Sequence, residues 1–298
     1  MADTTARTGR VDFIRISNMV IIRIQGGLGN QLFQYALYET FRKKGITAKV
    51  DISAYEEGRE KREFELMKLD LHPEVCTRQE LHCYYADNTL LTDRIFRYVF
   101  GRAKYRKEKM YDFNPQILSV TDGFLSGYWQ SERYFLPVAH ELRDKIHFRD
   151  IEGAVISRWE KQMRETNSVS VHIRLGDYLQ VSELYGSICT KRYYQEAIRY
   201  IAERVENPVY YIFSDDPDQA VDLLSEYPCR VVTENKGTDS YKDMYLMSKC
   251  RYHIIANSTF SWWGAWLDDR EDKMVITPEK WNNICKAHDI CCTGWIIV

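Results

Sequence analysis

Four polar clusters along the chain hold residue types that can grip a charged, hydroxylated ligand and move a group from it. The first is Gln25-Gly26-Gly27-Leu28-Gly29-Asn30-Gln31. Its glycines either let the backbone approach a ligand closely or simply make a tight strand-to-helix turn. The second runs His172-Ile173-Arg174-Leu175-Gly176-Asp177-Tyr178. On an extended strand His172 and Arg174 share a face. Arg174 offers a planar fork of donors that suits a phosphate. Asp177 can accept a proton, or can be the ion-pair partner that orients Arg174 and holds the loop. The third cluster is Phe213-Ser214-Asp215-Asp216-Pro217. An acidic residue just past a strand can accept from ribose hydroxyls or from the N–H edge of guanine. Asp215 or Asp216 can equally cap the helix that Pro217 would start. The fourth runs from Ala256 to Leu267 and contains Asn257, Ser258 and Thr259. Asn257 or Ser258 suits a helix N-cap, and the first turn is an anion site fit for a diphosphate. Trp262, Trp263 and Trp266 are read as core packing rather than as a platform for a sugar.

The elements that must position these residues follow from periodicity. Val20 to Ile24 is a short β-branched run and reads as a buried strand. Asn30 is read as the N-cap of the next helix, in which Phe33, Ala36, Leu37, Thr40 and Phe41 recur at helical spacing before Gly45 stops it. Thr47 to Ile52 is the next strand, so the chain opens with a strand–turn–helix–strand unit of a parallel α/β layer. Residues 55–110 are charged, Tyr-rich and weakly periodic, and read as short helices and loops. Gly123 to Trp129 reads as a strand leading to a helix over Ser131 to Lys145. Beyond residue 150 the pattern predicts helices over 151–166, 191–205, 240–249 and 257–267. It predicts strands over 168–173, 208–213, 230–233, 252–256 and 274–277, with a helix after Pro217. The natural architecture is two α/β halves divided near residue 150, with a ligand cleft between them. Each polar cluster then falls at the carboxyl end of a strand, where open α/β sheets bind ligands.

Bulk properties exclude several function classes. The chain has 298 residues and a formal charge of −2, and no basic stripe stands out, which disfavours nucleic acid. No run of 18 apolar residues occurs, and the polar N-terminus lacks the apolar centre of a signal peptide. The eight cysteines are scattered without a CxxC pair, which argues against zinc and for reduced cytosolic thiols. The glycine turn is neither GxGxxG nor a P-loop, so a dinucleotide oxidoreductase is disfavoured. Asp215-Asp216 lacks the spacing of an Asp-x-Asp metal motif, and no third ligand is evident.

Taken in order, the clusters resemble the bacterial α-1,2-fucosyltransferases of glycosyltransferase family 11. The resemblance is carried by Gly26 to Ala36, by Val171 to Tyr178 and by Ala256 to Leu267, and it spans about residues 19–298. It implies an α/β, GT-B-like fold of two Rossmann-like domains with a cleft between them. Residues 19–150 would form the acceptor side, and 151–298 would bind GDP-fucose. It implies inverting transfer of L-fucose to the 2-hydroxyl of a terminal galactose in a surface glycan or oligosaccharide, with no metal and no cofactor beyond the donor. Arg174, Asp177 and His172 are the expected catalytic residues, with Asp177 the first choice of base and Glu183 and His172 behind it. Gly27, Asn30, Arg174, Ser214, Asp215, Asp216, Asn257, Ser258 and Thr259 are expected to bind the donor. The family's second motif usually reads His-x-Arg-Arg-x-Asp, and Leu175 stands here in place of the second Arg. That departure keeps two alternatives open: a fucosyltransferase of other linkage or acceptor, and a GDP-sugar-binding relative without turnover. The expected location is cytoplasmic, with peripheral contact to a membrane that holds a lipid-linked acceptor.

Overall fold

The computed structural model describes residues 18–84, 105–108, 112–175, 182–284 and 288–298. Strand β1 (Val20–Arg23) enters helix α1 (Leu28–Lys43), and β2 (Ala48–Asp51) follows. Two short helices, α2 (Ser53–Glu56) and α3 (Arg78–Tyr84), lead to β3 (Tyr105–Lys107) and β4 (Gly123–Ser126). These strands form a parallel sheet in the order β2-β1-β4-β3. β1 is buried at every position, as a parallel strand covered on both faces must be.

Helices α4 (Ala139–Lys145) and α5 (Ala154–Arg164) precede β5 (Asn167–Ile173). Then come α6 (Ser182–Tyr185), α7 (Lys191–Ala202), β6 (Pro208–Ser214), α8 (Pro217–Leu223) and β7 (Cys229–Val231). The chain continues through α9 (Tyr241–Lys249), β8 (Tyr252–Ile254), α10 (Thr259–Leu267), β9 (Met274–Thr277) and β10 (Ile296–Ile297). This second parallel sheet runs β10-β9-β8-β5-β6-β7.

Most elements lie where periodicity puts them. Gly45, at φ +74, does end the first helix. Two expectations need correction. Asn30 is not the N-cap of α1: the cap is Gly27, and Asn30 lies inside the first turn. The helix expected over 131–145 exists only as α4, behind two single 3-10 turns at Glu132–Tyr134 and Leu136–Val138. Pro137 has no N–H to give, so a continuous helix cannot form through it. The short edge strands β3 and β10 had no alternating signal long enough to read.

Helix α10 carries the packing that ties the two sheets' helices together. Trp262, Trp263 and Trp266 are all buried, as expected of core residues. Phe33 of α1 meets Trp262 at 4.5 Å and Trp263 at 5.1 Å between ring centroids, and Phe135 stacks on Trp263. Each indole N–H has an acceptor: Ile290 O, Gly29 O and Glu132 Oε2 respectively. Aromatic pairs of this kind add roughly 0.5–1.5 kcal/mol each beyond their buried area. A buried Ser170–His253–Asp268 chain has the residue types of a hydrolase triad. All three residues are buried, so it clips β5, β8 and the end of α10 together rather than presenting a nucleophile.

Candidate active site

A cleft of about 650 Å³ opens at the carboxyl ends of β1, β5, β6 and β8. It brings together residues from all four clusters: Gly27, Asn30, His172, Arg174, Ser214, Asp215, Asn257, Ser258 and Thr259 line it. Asp177 lies outside the described residues.

The glycine turn is built as much for packing as for a ligand. Gly26 has φ +79, and its N–H donates to Glu60 Oε2. Gly29 is where α1 meets α10: a Cβ on it would stand 2.6 Å from the Thr259 carbonyl carbon. Gly27 faces the cleft with open space where a Cβ would be.

Arg174 is half-buried just past β5 and pairs through Nε with Asp215 Oδ2 at 3.3 Å. The other carboxylate oxygen of Asp215 accepts from the Leu175 backbone N–H at 2.9 Å. Asp215 thus holds the arginine and the start of its loop. The Leu175 side chain packs against the apolar cluster of the six-stranded sheet and is not part of the cleft wall. Its replacement of the family's second Arg therefore leaves the Arg174 arrangement in place.

His172 is buried, and its Nδ1 pairs with Ser261 Oγ at 2.9 Å. Burial, with Arg174 beside it, pushes its pKa down to about 3. A ring so reluctant to take a proton is a poor general base, and its bond to Ser261 favours a positioning role over the expected catalytic one. Asp216 needs a correction. Its carboxylate caps α8 by accepting from the Gln219 N–H at 3.1 Å, and it does not line the cleft. Ser214 closes the same turn, with Oγ accepting from the Asp216 N–H. Asn257 is buried and donates to Trp281 O, so it shapes the cleft wall. Glu183 is exposed on α6 and is not in that wall.

Helix α10 begins at Thr259 with Ser258 at the N-cap and no side-chain cap bond. Its first turn lines the cleft near Arg174. A helix start plus a guanidinium is a ready anion site. Among the described residues no three His, Cys, Asp or Glu side chains are grouped to hold a metal ion.

Sequence reasoning missed two cleft residues. Asp243, in the first turn of α9, accepts from Asn235 Nδ2 at 2.7 Å. Burial, with Glu234 adding to it, raises its carboxyl to about 7. Gln130 also lines the cleft and donates to Asn30 Oδ1 at 2.8 Å. Neither stands in a recognisable motif. The one available signal was position: Gln130 follows a strand end, and Asp243 opens a helix.

Parallel α/β sheets that converge on a cleft with a built anion site describe a transferase for an activated, phosphate-bearing donor. The chain belongs to glycosyl transferase family 11, whose profile matches residues 15–298. It is 32% identical to an alpha-1,2-colitosyltransferase of Escherichia coli over 94% of this chain and 98% of that one. It is 33% identical to the O-antigen biosynthesis glycosyltransferase WbnK of Escherichia coli over 87% of this chain and 93% of that one. A galactoside alpha-(1,2)-fucosyltransferase 1 of Alouatta caraya is 26% identical over 57% of this chain and 50% of its own. Among solved structures, an Arabidopsis thaliana FUT1 mutant in complex with GDP aligns at a TM-score of 0.50 and 12% identity. That alignment covers 89% of this chain and 71% of that one. The α/β, GT-B-like class expected from the sequence is the fold of this chain. No helix among the described residues is long and apolar enough to cross a membrane.

Proposed function

We propose that this glycosyltransferase moves L-fucose from GDP-fucose to the 2-hydroxyl of a terminal galactose in a surface glycan, inverting the anomeric centre. The observation that carries the reading is Arg174, fixed by Asp215 beside the uncapped start of α10. In the reaction the acceptor oxygen bonds to the anomeric carbon as the bond from that carbon to the phosphate oxygen breaks. GDP leaves with the electron pair, and its growing charge needs a fixed cationic partner. Arg174 and the first turn of α10 supply one, and no metal is required in this reading. The acceptor's proton goes to a base, for which Asp177 remains the proposed residue.

Asp243 is suited to the guanine. A carboxylate in this wall can accept from the purine N1–H and N2–H together, which adenine cannot offer. Residues 151–298 then hold the nucleotide, and residues 19–150 form the acceptor side. The proposed setting is cytoplasmic, at the membrane face that holds a lipid-linked precursor.

A second reading has an observation behind it. The similarity to an alpha-1,2-colitosyltransferase suggests that a GDP-linked 6-deoxy sugar other than fucose could be the donor. The test is to incubate the protein with a β-galactoside and either GDP-fucose or GDP-colitose, then determine the product linkage by NMR. An α-1,2-linked fucoside is expected. A preference for GDP-colitose would favour the second reading, and a different linkage would contradict both.

A further inference from the structure

Segment 60–65 forms neither helix nor strand, yet it gives Arg62 and Glu65 to the cleft. Backbone outside regular structure must find its hydrogen bonds elsewhere. Here the glycine turn and the start of α1 supply them. Gln31, in the first turn of α1, is fully buried. Its Nε2 donates to Glu63 O at 2.7 Å and to Gly26 O at 2.9 Å. Its Oε1 accepts from the Glu65 N–H at 2.8 Å. One amide thus bonds to residues on both sides of Arg62's neighbour Glu63–Glu65 and to the turn itself. Glu60 adds the bond from the Gly26 N–H already described. Beyond the segment, Lys68 Nζ pairs with Glu65 Oε1 at 3.0 Å and donates to Thr238 O at 2.7 Å. A buried amide is costly unless its bonds are made, so these contacts fix where the segment stands.

In the proposed reaction the nucleotide and the departing diphosphate are met by Asp243, Arg174 and the start of α10. An inverting displacement brings the acceptor oxygen to the face of the anomeric carbon away from the leaving phosphate. The acceptor sugar therefore needs a grip of its own. Arg62 and Glu65 are the charged side chains that residues 19–150 give to the cleft among the described residues. Glu65 is committed to Lys68. Arg62 is exposed, within reach of a ligand, and its guanidinium offers a planar fork of donors to neighbouring hydroxyls. A pyranose presents hydroxyls in that adjacent pattern.

We propose that Arg62 hydrogen-bonds hydroxyls of the acceptor sugar, and that Gln31 is the positioning residue that sets Arg62 against the donor turn. This rests on the glycosyl-transfer reading above and deepens it, since that reading gives the acceptor to residues 19–150 without naming a contact.

The test measures kcat, the KM for a β-galactoside and the KM for GDP-fucose. The proteins are the wild type, Arg62→Ala, Arg62→Lys, Gln31→Leu and the double variant of Gln31→Leu with Arg62→Ala. Arg62→Ala should raise the galactoside KM by about tenfold, the loss of a hydrogen bond from a charged donor, with the GDP-fucose KM little changed. Arg62→Lys should recover part of that loss, because the ammonium still donates but lacks the fork. Gln31→Leu should raise the galactoside KM as well. Its effect and that of Arg62→Ala should not multiply in the double variant, because one acts through the other. KM does not depend on the amount of folded enzyme, so partial misfolding of Gln31→Leu does not blur the result. An unchanged galactoside KM in Arg62→Ala would overturn the proposal. So would a rise confined to the GDP-fucose KM, which would put Arg62 on the nucleotide. Effects that multiply fully would overturn the role of Gln31. A wild type that transfers no sugar to any galactoside would instead sink the transfer reading itself, and this inference with it.

Discussion

At the scale of the residue, the site is organised by who holds whom. Arg174 is held by Asp215, His172 by Ser261, and Asn30 by Gln130. Asp215→Asn should leave the fold intact but loosen Arg174. Its kcat should drop while a GDP-binding titration changes less, because in the proposed mechanism the arginine meets the charge that grows in the transition state. An unchanged kcat would show that the pair is only a loop clip. Asp243 gives a pH prediction. Its carboxyl is raised to about 7 by burial, and in the proposed guanine contact only the ionised form would accept both donors. The KM for the GDP-sugar should therefore rise as pH falls through about 7. Asp243→Asn should show a high KM with no such inflection. The roles of these residues were unevenly legible. Arg174 could be picked from its type and its place at a strand end. Its pairing with Asp215 could not, because Asp215 is brought to it only by the pairing of β5 with β6. Asp243 and Gln130 gave no sign beyond their places at a helix start and after a strand end, since their meaning comes from the cleft they both line.

At the scale of the element, the long β-branched strands and amphipathic helices were legible because burial on one face or both leaves a period in the sequence. Strand β5 and helix α7 are such cases, and both were found within a few residues of their ends. The three-residue strand β3 was missed because a segment that short carries no period. Segment 131–145 was misread because its apolar spacing is compatible with a helix while Pro137 divides it. The junction of α1 and α10 gives an element-scale prediction. Gly29→Ala would put a methyl 2.6 Å from the Thr259 carbonyl carbon, backbone against backbone, so one helix must move. Gly27→Ala, in open space, has no such cost. Thermal unfolding should show a clear drop in Tm for the first and little change for the second; equal behaviour would remove the close approach from the account. Trp263→Ala, which opens a void in the same junction and orphans the Gly29 carbonyl, should cost about 3–5 kcal/mol in denaturant unfolding.

At the scale of the whole molecule, two buried histidines set the acid limit of stability. His172 is depressed to about 3, and His253 is also lowered by burial. Below the ordinary histidine value of about 6.5 the unfolded chain binds protons that the native fold refuses. Their contribution is therefore intact above that value and is lost as pH falls from about 6.5 toward 3. Asp243 acts with the opposite sign, since its raised carboxyl keeps a proton in the native state between 3.8 and about 7. Glu108, also raised to about 7 by burial, acts with Asp243 against the histidines, so the readout is the difference: relative to the wild type, the urea midpoint of His172→Gln should gain as pH falls from 7.5 to 5. A steeper fall in the variant would contradict the assignment. The central claim, however, concerns charge: GDP departs against Arg174 and a helix start, without a metal. The most direct measurement is acceptor-dependent GDP release from GDP-fucose, with and without EDTA, for the wild type and Arg174→Ala. The account predicts release that survives EDTA and falls on the order of 10²–10³ in the variant. Release that is lost in EDTA, or that is untouched by the loss of Arg174, would contradict it.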